Sequence, residues 1–410
     1  MTDLKKPERL PPPILVDDEP GLERLLDDLA GQTEVAVDTE ADSFFHYRER
    51  VCLIQITVED RDYLVDPLCD LKLTGIGRML ADPKKVKVFH DGEYDVMILK
   101  REYGFRFKNL FDTRVAAAAL GSEQPGLAAV IGEHFGVELD KSLQRSNWST
   151  RPLSDKQIAY ARLDTRYLIP LMHKLRGALD EADRAIIVEG ECRRLEELEP
   201  PPREFDPDEY VRLKGARALR PAELAALREL FIMRDGMARE RDLPPFKVLG
   251  NPSLLALAKA QPTSNSQLSR VNDLSPRVAR RIGPAILEAI GRAKKAGPVK
   301  SLPQLPSRDG TGELSEESYE LHERLKNWRK KKAAAEGMDA SLILNRHVLL
   351  RLASDRPGDA KALKRIDGMQ RWQCDRYGAE LLGVVETFED DLAAGRISLG
   401  SRRRSRRGER

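Results

Sequence analysis

The chain has 410 residues, of which 41% are hydrophobic and 33% charged, and its formal net charge is +2. These values are typical of a soluble protein of two to four domains, and no apolar run is long enough for a membrane-spanning helix. Because the first residues lack the apolar core of a secretion signal and the four cysteines form no C-x-x-C pair, we expect a cytoplasmic protein with reduced thiols, without a zinc site or a disulfide frame.

The first half of the chain alternates helix and strand patterns. A cap-like Asp-Glu-Pro sequence begins a helix near Asp18, and stretches rich in Val, Ile and Tyr predict strands in antiparallel meander order, with Arg61 and Asp62 in a turn. The strands lie at 34–40, 51–60 and 61–68. A helix, a short apolar strand and a helix ending at Gly104 follow, and almost every segment from about Asp112 to Leu195 has helical periodicity. We therefore predict an α/β mixed-sheet domain over residues 1–205.

The second half reads as two helical blocks separated by breaks. Three prolines near residue 201 predict a linker, and a second break rich in Pro, Gly and Ser covers 297–314. The blocks, at 210–296 and 315–395, share a rhythm that predicts a diverged repeat. The tail at 396–410 has six arginines in its last ten residues, and we expect it to be disordered.

Charge is distributed unevenly between the two halves. Residues 1–205 carry a net charge of about −10 and residues 206–410 one of about +12. A basic half of this kind favours contact with a polyanion such as a nucleic acid. The alternative is a charged surface that is simply solvated.

Acidic residues from three separate segments are the main candidates for a catalytic site. Asp38 and Glu40 share one side of a predicted strand, Asp95 lies in the first turns of a helix, and Tyr160 and Asp164 lie four residues apart on one helix face. Each piece has an ordinary structural explanation when it is taken alone. Together they supply the four hard oxygen ligands that a pair of Mg²⁺ or Mn²⁺ ions requires, and such ions would offset the repulsion between the carboxylates.

The segments around these residues resemble the ribonuclease D family, in the tyrosine subtype of the DEDD exonuclease superfamily. Three stretches resemble its exonuclease motifs: VAVDTEADSFFHYRERVCLIQI, VFHDGEYDVMILKREYGFRFKNLFDT and LDKSLQRSNWSTRPLSDKQIAYARLDTRYLIPL. The two helical blocks resemble a tandem pair of HRDC domains. The resemblance implies a ribonuclease H-like exonuclease domain followed by two all-α domains.

The resemblance assigns a role to each of the five residues. It makes Asp38, Glu40, Asp95 and Asp164 metal ligands and gives Tyr160 the orientation of the attacking water. Asp91 competes with Asp95, because the sequence HDGEYD offers two acids. We prefer Asp95, since the family's ligand follows this glycine by three residues. The acid at position 91 replaces a small residue of the family and could alter metal affinity.

The implied reaction is a two-metal-ion hydrolysis that proceeds 3′ to 5′ and releases nucleoside 5′-monophosphates. The expected partner is an RNA with a free 3′ end, such as a tRNA precursor, and no obligate protein partner is evident. Two alternatives stay open. One is a 3′–5′ DNA exonuclease, because no residue reads the 2′-hydroxyl explicitly. The other is an inactive nucleic-acid-binding scaffold, against which the complete set of five residues argues.

Five further residues are candidates for substrate binding, and each has a structural alternative. Phe44 could stack on terminal bases or belong to the core. His90 ends a strand beside the site and could be a structural histidine. Lys141, Arg145 and Arg151 surround the sequence SNWSTRP and could contact phosphates or form ordinary surface charge.

Overall fold

The computed structural model describes residues 10–201, 203–305 and 314–397. The described residues divide into two units, one comprising 10–40, 51–200 and 314–397 and the other 41–50, 201 and 203–305. The tail at 396–410 is predicted to be disordered, and its residues 398–410 lie outside the described residues. None of the described helices combines the length and the apolar character needed to cross a membrane.

A mixed six-stranded sheet forms the centre of the first half, in the order β1-β4-β3-β2-β5-β6. β1 pairs in parallel with β4, β5 pairs in parallel with both β2 and β6, and β3 is antiparallel to β4. The strands are β1 (Ile14–Val16), β2 (Glu34–Ala41), β3 (Val51–Val58), β4 (Arg61–Val65), β5 (Val86–Phe89) and β6 (Leu110–Asp112). The predicted mixed sheet is confirmed, including an antiparallel pair, β3 with β4, that follows β2 in the chain.

Helices that precede, separate and follow the strands along the sequence complete this part of the chain. They are α1 (Glu19–Ala30), α2 (Thr74–Ala81), α3 (Glu93–Tyr103), α4 (Thr113–Ala119), α5 (Leu127–Phe135), α6 (Asp155–Arg166), α7 (Leu168–Glu181) and α8 (Ala185–Glu197). Asp18 caps α1, and α3 ends at Gly104 in a left-handed conformation, both as predicted.

The structure corrects one local prediction, the turn at Arg61 and Asp62, and adds features that the sequence pattern does not show. β1 and β6 have only three residues each, too few to show a period, and both are strands because a neighbouring strand pairs with them. Arg61 and Asp62 belong to β4 rather than to a turn; the turn precedes them at Glu59, where φ is 46°. Residues 136–154 contain no helix, since Asx turns at Asp140 and Asn147 and the proline at 152 replace helical hydrogen bonds.

The two helical blocks repeat the same series of helix lengths. The first block contains α9 (Pro221–Glu240), α10 (Pro245–Val248), α11 (Asn251–Ala260), α12 (Asn265–Leu268) and α13 (Pro276–Ala296). The second contains α14 (Glu316–Glu336), α15 (Ala340–Ile343), α16 (Arg346–Asp355), α17 (Ala360–Leu363) and α18 (Arg371–Ala393). Each block has a long helix, three short helices of four, ten and four residues, and a final long helix. The predicted repeat is confirmed.

The second helical block packs on the sheet domain within the first unit. Arg184, just before α8, donates a hydrogen bond to the carbonyl of Ala119 at 2.6 Å and another to the carbonyl of Glu336. Gln370 donates to Glu191 at 3.3 Å, close to Gly190 on the same helix. The first block instead has its own apolar core, in the second unit.

Candidate active site

Three of the predicted acids meet at one end of the sheet. Asp38 and Glu40 project from the same face of β2, because side chains alternate along a strand, and Asp164 projects from α6. One carboxylate oxygen from each lies within 4.8 Å of the others. All three side chains retain part of their solvent exposure, so the cluster lines an accessible recess.

The fourth acid, Asp95, lies beside this cluster on the first turn of α3. It is buried, with only 6% of its surface exposed, and its Oδ1 accepts a hydrogen bond from Thr39 Oγ1 at 2.5 Å. Its charge raises the pKa values of Asp38, Glu40 and Asp164. The four carboxylates therefore form one electrostatically coupled group.

Burial and mutual repulsion disfavour ionisation of the whole group. Burial, and next the neighbouring carboxylates, raises the pKa of Glu40 to about 9 and that of Asp164 to about 8. Burial raises the pKa of Asp95 to about 6, although the hydrogen bond from Thr39 opposes the change. The pKa of Asp38 is raised by burial first and then by Asp95, Asp164 and Glu40. Hard oxygen donors that repel one another in a recess fit a divalent cation, whose charge would reverse these shifts.

Tyr160 lies one helical turn before Asp164, on the same face of α6. Its ring packs against Trp148 with the centroids 5.8 Å apart. Burial raises the pKa of Tyr160 far above its usual value, and the charges of Asp164 and Glu40 raise it further. The phenol therefore keeps its proton and can donate a hydrogen bond within the recess.

A buried charge pair holds the opposite face of α6 against the sheet. Arg162 Nη2 donates to Asp62 Oδ2 on β4 at 2.6 Å, and both side chains are almost fully buried. Thr57 on β3 donates to Asp62 Oδ1 at 2.9 Å and lies 2.7 Å from the hydroxyl of Thr165. This network fixes the rotation and height of the helix that carries Tyr160 and Asp164.

A second buried carboxylate, Asp112, holds the turn that leads into α3. It accepts hydrogen bonds from the backbone N–H groups of Asp91, Gly92, Arg114 and Val115, at 2.8–3.1 Å. Asp91 takes a left-handed conformation with φ of 62°, which aspartate tolerates better than most residues. At Gly92 a Cβ would lie 2.6 Å from Phe89 Cβ, so the turn requires glycine. The turn aims Asp95 at the other acids.

The structure separates the two acids of the HDGEYD segment. Asp91 is exposed, with 66% of its side-chain surface accessible, and lies 3.5 Å from Arg114. It is absent from the groups that shift the pKa values of the clustered acids, whereas Asp95 acts on three of them. This geometry favours the sequence-based preference for Asp95.

Of the candidate substrate contacts, His90 and Arg151 are engaged within the protein. His90 Nδ1 lies 2.9 Å from Thr113 Oγ1, and burial lowers the pKa of His90 to about 4, so the ring is neutral at pH 7. Arg151 binds Asp66 and donates to the carbonyls of Trp148, Thr150 and Cys52. These contacts favour a structural role for both side chains.

The remaining candidates lie at the surface. Lys141 and Arg145 are exposed in the loop between α5 and α6, and Phe44 is exposed in the second unit. The sequence reasoning missed Asp62, Arg162 and Asp112, which position the site. Asp112 carries a detectable signal, since an aspartate directly before an Ala-rich helix is a typical N-cap. The pairing of Asp62 with Arg162 spans a hundred residues and has no local signal.

Comparison with protein families divides the chain into three matched regions. A family model of the 3′–5′ exonuclease domain matches residues 13–180. A model of the HRDC domain matches twice, at 223–290 and 319–385. The matched exonuclease region contains all four clustered acids and Tyr160.

Individual proteins resemble the chain over most of its length. Ribonuclease D of Pseudomonas paraeruginosa is 32% identical over 87% of this chain and 93% of its own. Ribonuclease D of Acidiphilium cryptum is 30% identical over 98% of both chains. The crystal structure of Escherichia coli RNase D, described as an exoribonuclease involved in structured RNA processing, matches with a TM-score of 0.69 and 25% identity over 92% of this chain and 99% of that one.

Proposed function

The chain belongs to the ribonuclease D family of metal-dependent 3′–5′ exoribonucleases, and we propose that its physiological reaction is the 3′ trimming of tRNA precursors or other small structured RNAs. The proposal extends to its location in the cytoplasm and to action without an obligate protein partner. We also propose the functional domains 1–205, 210–296 and 315–395. The description of the similar Escherichia coli enzyme supports structured RNA as the substrate class.

The observation that carries the catalytic proposal is the convergence of Asp38, Glu40 and Asp164, with ligand oxygens within 4.8 Å of one another. With Asp95 beside them, these residues would hold two divalent ions, Mg²⁺ or Mn²⁺. Bound ions would supply the acidification of a water and the stabilisation of negative charge on the leaving 3′ oxygen. The carboxylates would enter this reaction ionised, because the bound cations offset their repulsion.

Tyr160 acts in this proposal as an orienting group rather than as a base. Its raised pKa makes the phenolate too costly at neutral pH, so it contributes a hydrogen bond from the O–H group. Packing against Trp148 limits its rotamers, and the buried pair of Arg162 and Asp62 fixes the helix beneath it. The phenol would therefore present its O–H group to the attacking water from a fixed position.

The test is hydrolysis of three 3′-labelled substrates: single-stranded RNA, single-stranded DNA of the same sequence, and a tRNA bearing a 3′ extension. We expect nucleoside 5′-monophosphates from both RNAs in the presence of Mg²⁺ or Mn²⁺ and no product in EDTA. Faster degradation of DNA would replace the proposal with a DNA exonuclease. Binding without product under any metal would support an inactive scaffold. Degradation of single-stranded RNA without trimming of the extended tRNA would overturn only the substrate.

A further inference from the structure

The segment that directly follows the acids of β2, residues 41–50, is held within the second unit by the first HRDC domain. The hydroxyl of Tyr47 donates to Asp235 on α9 at 2.7 Å. The backbone N–H of Tyr47 donates to Asp242 at 3.1 Å, and His46 Nδ1 lies 2.7 Å from the same carboxylate. These contacts fix the segment by both side chain and backbone.

This docking brings aromatic rings from the two parts of the unit together at the surface. Phe44 and Phe246 are exposed by 43% and 53%, and they meet edge to face with their centroids 6.4 Å apart. Lys247 Nζ lies 4.2 Å from the centroid of Phe45. Large exposed aromatic residues in contact are uncommon unless they serve an interaction. Phe246 has 53% of its surface exposed, so part of its ring can contact a planar group such as a base.

Basic residues of α13 lie near Lys247. Arg281 on α13 reaches the backbone carbonyl of Lys247 at 3.5 Å. Arg277, Arg280 and Arg281 are all exposed within the first two turns of that helix, and its first turn has no acidic residue. Aromatic faces interleaved with Lys and Arg are the combination that binds single-stranded nucleic acid without sequence preference.

We propose that Phe44, Phe246 and Lys247 form a stacking platform for unpaired bases near the 3′ end of an RNA substrate. The inference rests on the proposed function, because it assigns the occupant as the strand being degraded. Phe44 follows Glu40 by four residues, so the chain itself limits their Cα separation to about 14 Å. A base on the platform would therefore lie within a few nucleotides of the scissile bond. The first HRDC domain would thus contribute directly to holding the substrate.

The experiment measures the affinity of the full-length protein for a fluorescently labelled single-stranded RNA in EDTA, so that binding is independent of hydrolysis. Phe246→Ala should weaken binding about five-fold or more, because stacking of one base on an aromatic side chain contributes that much. Phe246→Leu keeps apolar contact with Phe44 and should show a similar loss, whereas Phe246→Tyr should bind like the wild type. Tyr319→Ala removes a similarly exposed aromatic residue from the second HRDC domain and should have no effect.

A second RNA, with abasic sites at its last four positions, separates stacking from phosphate contacts. The wild type should bind it at least as weakly as Phe246→Ala binds the intact RNA, and the abasic sites should cost the variant less affinity than they cost the wild type. Equal affinity of Phe246→Leu and wild type for the intact RNA would overturn the platform. The same conclusion would follow if the variant and the abasic sites weakened binding independently. Hydrolysis of the intact RNA by the wild type in Mg²⁺ is measured separately. If the binding results contradict the platform, the proposed function is unaffected. If the wild type does not hydrolyse the RNA, only the proposed function is refuted.

Discussion

The clustered carboxylates destabilise the folded chain when no cation is bound. They belong to Asp38, Glu40, Asp95 and Asp164. Each carboxylate is partly or fully buried and faces others of the same charge, which raises all four pKa values. A fold keeps such a group only where the site is needed, and strain of this kind concentrates at functional sites. The four residues should therefore contribute to activity and to stability in opposite directions.

We predict that Asp38→Asn abolishes hydrolysis while its thermal unfolding temperature in EDTA equals or exceeds that of the wild type. The amide keeps the shape of the side chain but removes one negative charge from the cluster. Saturating Mn²⁺ should raise the unfolding temperature of the wild type more than that of the variant, because the variant binds metal less tightly. Calorimetry with and without Mn²⁺ checks both statements. A variant that retained a tenth of the wild-type rate would refute the role of Asp38.

Asp95 and Asp91 provide a matched pair at the same segment. We predict that Asp95→Asn is as inactive as Asp38→Asn, whereas Asp91→Asn keeps most of its activity, because Asp91 is exposed and lies outside the coupled group. Asparagine tolerates the left-handed conformation at position 91, so the backbone turn should survive. Initial rates on labelled RNA decide the pair. Inactive Asp91→Asn beside active Asp95→Asn would reverse the assignment.

At the scale of elements, the site depends on how α6 and α3 are fixed against the sheet. α6 carries two site residues on its outer face and rests on a buried Arg162–Asp62 pair on its inner face. α3 is aimed by the Asp112 carboxylate through four backbone hydrogen bonds. Both devices are buried polar groups with their hydrogen bonds satisfied, which specify one arrangement more sharply than apolar packing does.

We predict that Asp62→Asn lowers both the unfolding temperature and kcat, because it leaves the Arg162 cation buried without a counter-charge. Removing one partner of a buried pair costs about 3–5 kcal/mol. If Asp62 also positions Tyr160, kcat on RNA should fall more than KM rises when both are measured well below the unfolding temperature. Asp60→Asn is the matched control, since Asp60 is exposed and its partner Arg166, although buried, keeps Asp62 as a counter-charge at 3.6 Å. A stable variant with wild-type kcat would exclude the positioning role.

At the scale of the whole molecule, the second HRDC domain shares a unit with the exonuclease domain, and Gly190 lies where they touch. A Cβ at this position would lie 1.8 Å from Gln370 Oε1 and 2.8 Å from Trp372 Nε1. Gln370 cannot move away freely, because it accepts a hydrogen bond from Trp372 at 2.9 Å and donates one to Glu191 at 3.3 Å. A side chain at Gly190 would therefore displace Gln370 and disturb these two hydrogen bonds.

We predict that Gly190→Ala destabilises the first unit by about 1–3 kcal/mol, the usual cost of overpacking. Gly177→Ala on α7 is the control: nothing lies within 4 Å of the added Cβ, so the higher helix propensity of alanine should stabilise by about 0.5–1 kcal/mol. Chemical unfolding of both variants measures the difference. Stabilisation of Gly190→Ala similar to that of Gly177→Ala would show that α18 does not pack on α8 in solution.

The division of the chain into units also bears on where it can be cut. The sequence places a boundary near residue 205, yet residues 41–50 pack with 201–305 and the second helical block packs with the exonuclease domain. Truncation at 205 would expose the apolar and polar surfaces that both contacts cover. Functional domains along the sequence and packing units in space therefore differ in this protein.

Residue patterns alone predict the strands and helices that carry the five candidate site residues. Alternation along β2 and the four-residue spacing on α6 are local properties of the backbone, so they placed Asp38 with Glu40 and Tyr160 with Asp164. Motif resemblance supplied the family and the preference for Asp95 over Asp91. The repeat of the helical blocks was also readable, since the same order of short and long helices follows from two similar patterns.

The features that join distant parts of the chain are visible in the folded protein but not in its residue patterns. β1 and β6 exist through pairing with longer strands, and Asp62 meets Arg162 across a hundred residues. The docking of residues 41–50 on the first HRDC domain, and the close approach at Gly190, likewise depend on partners far along the chain. No local pattern encodes such contacts. A side chain can have no effect on the stability of its own strand or helix and still be required, because it contacts a surface from a distant part of the chain.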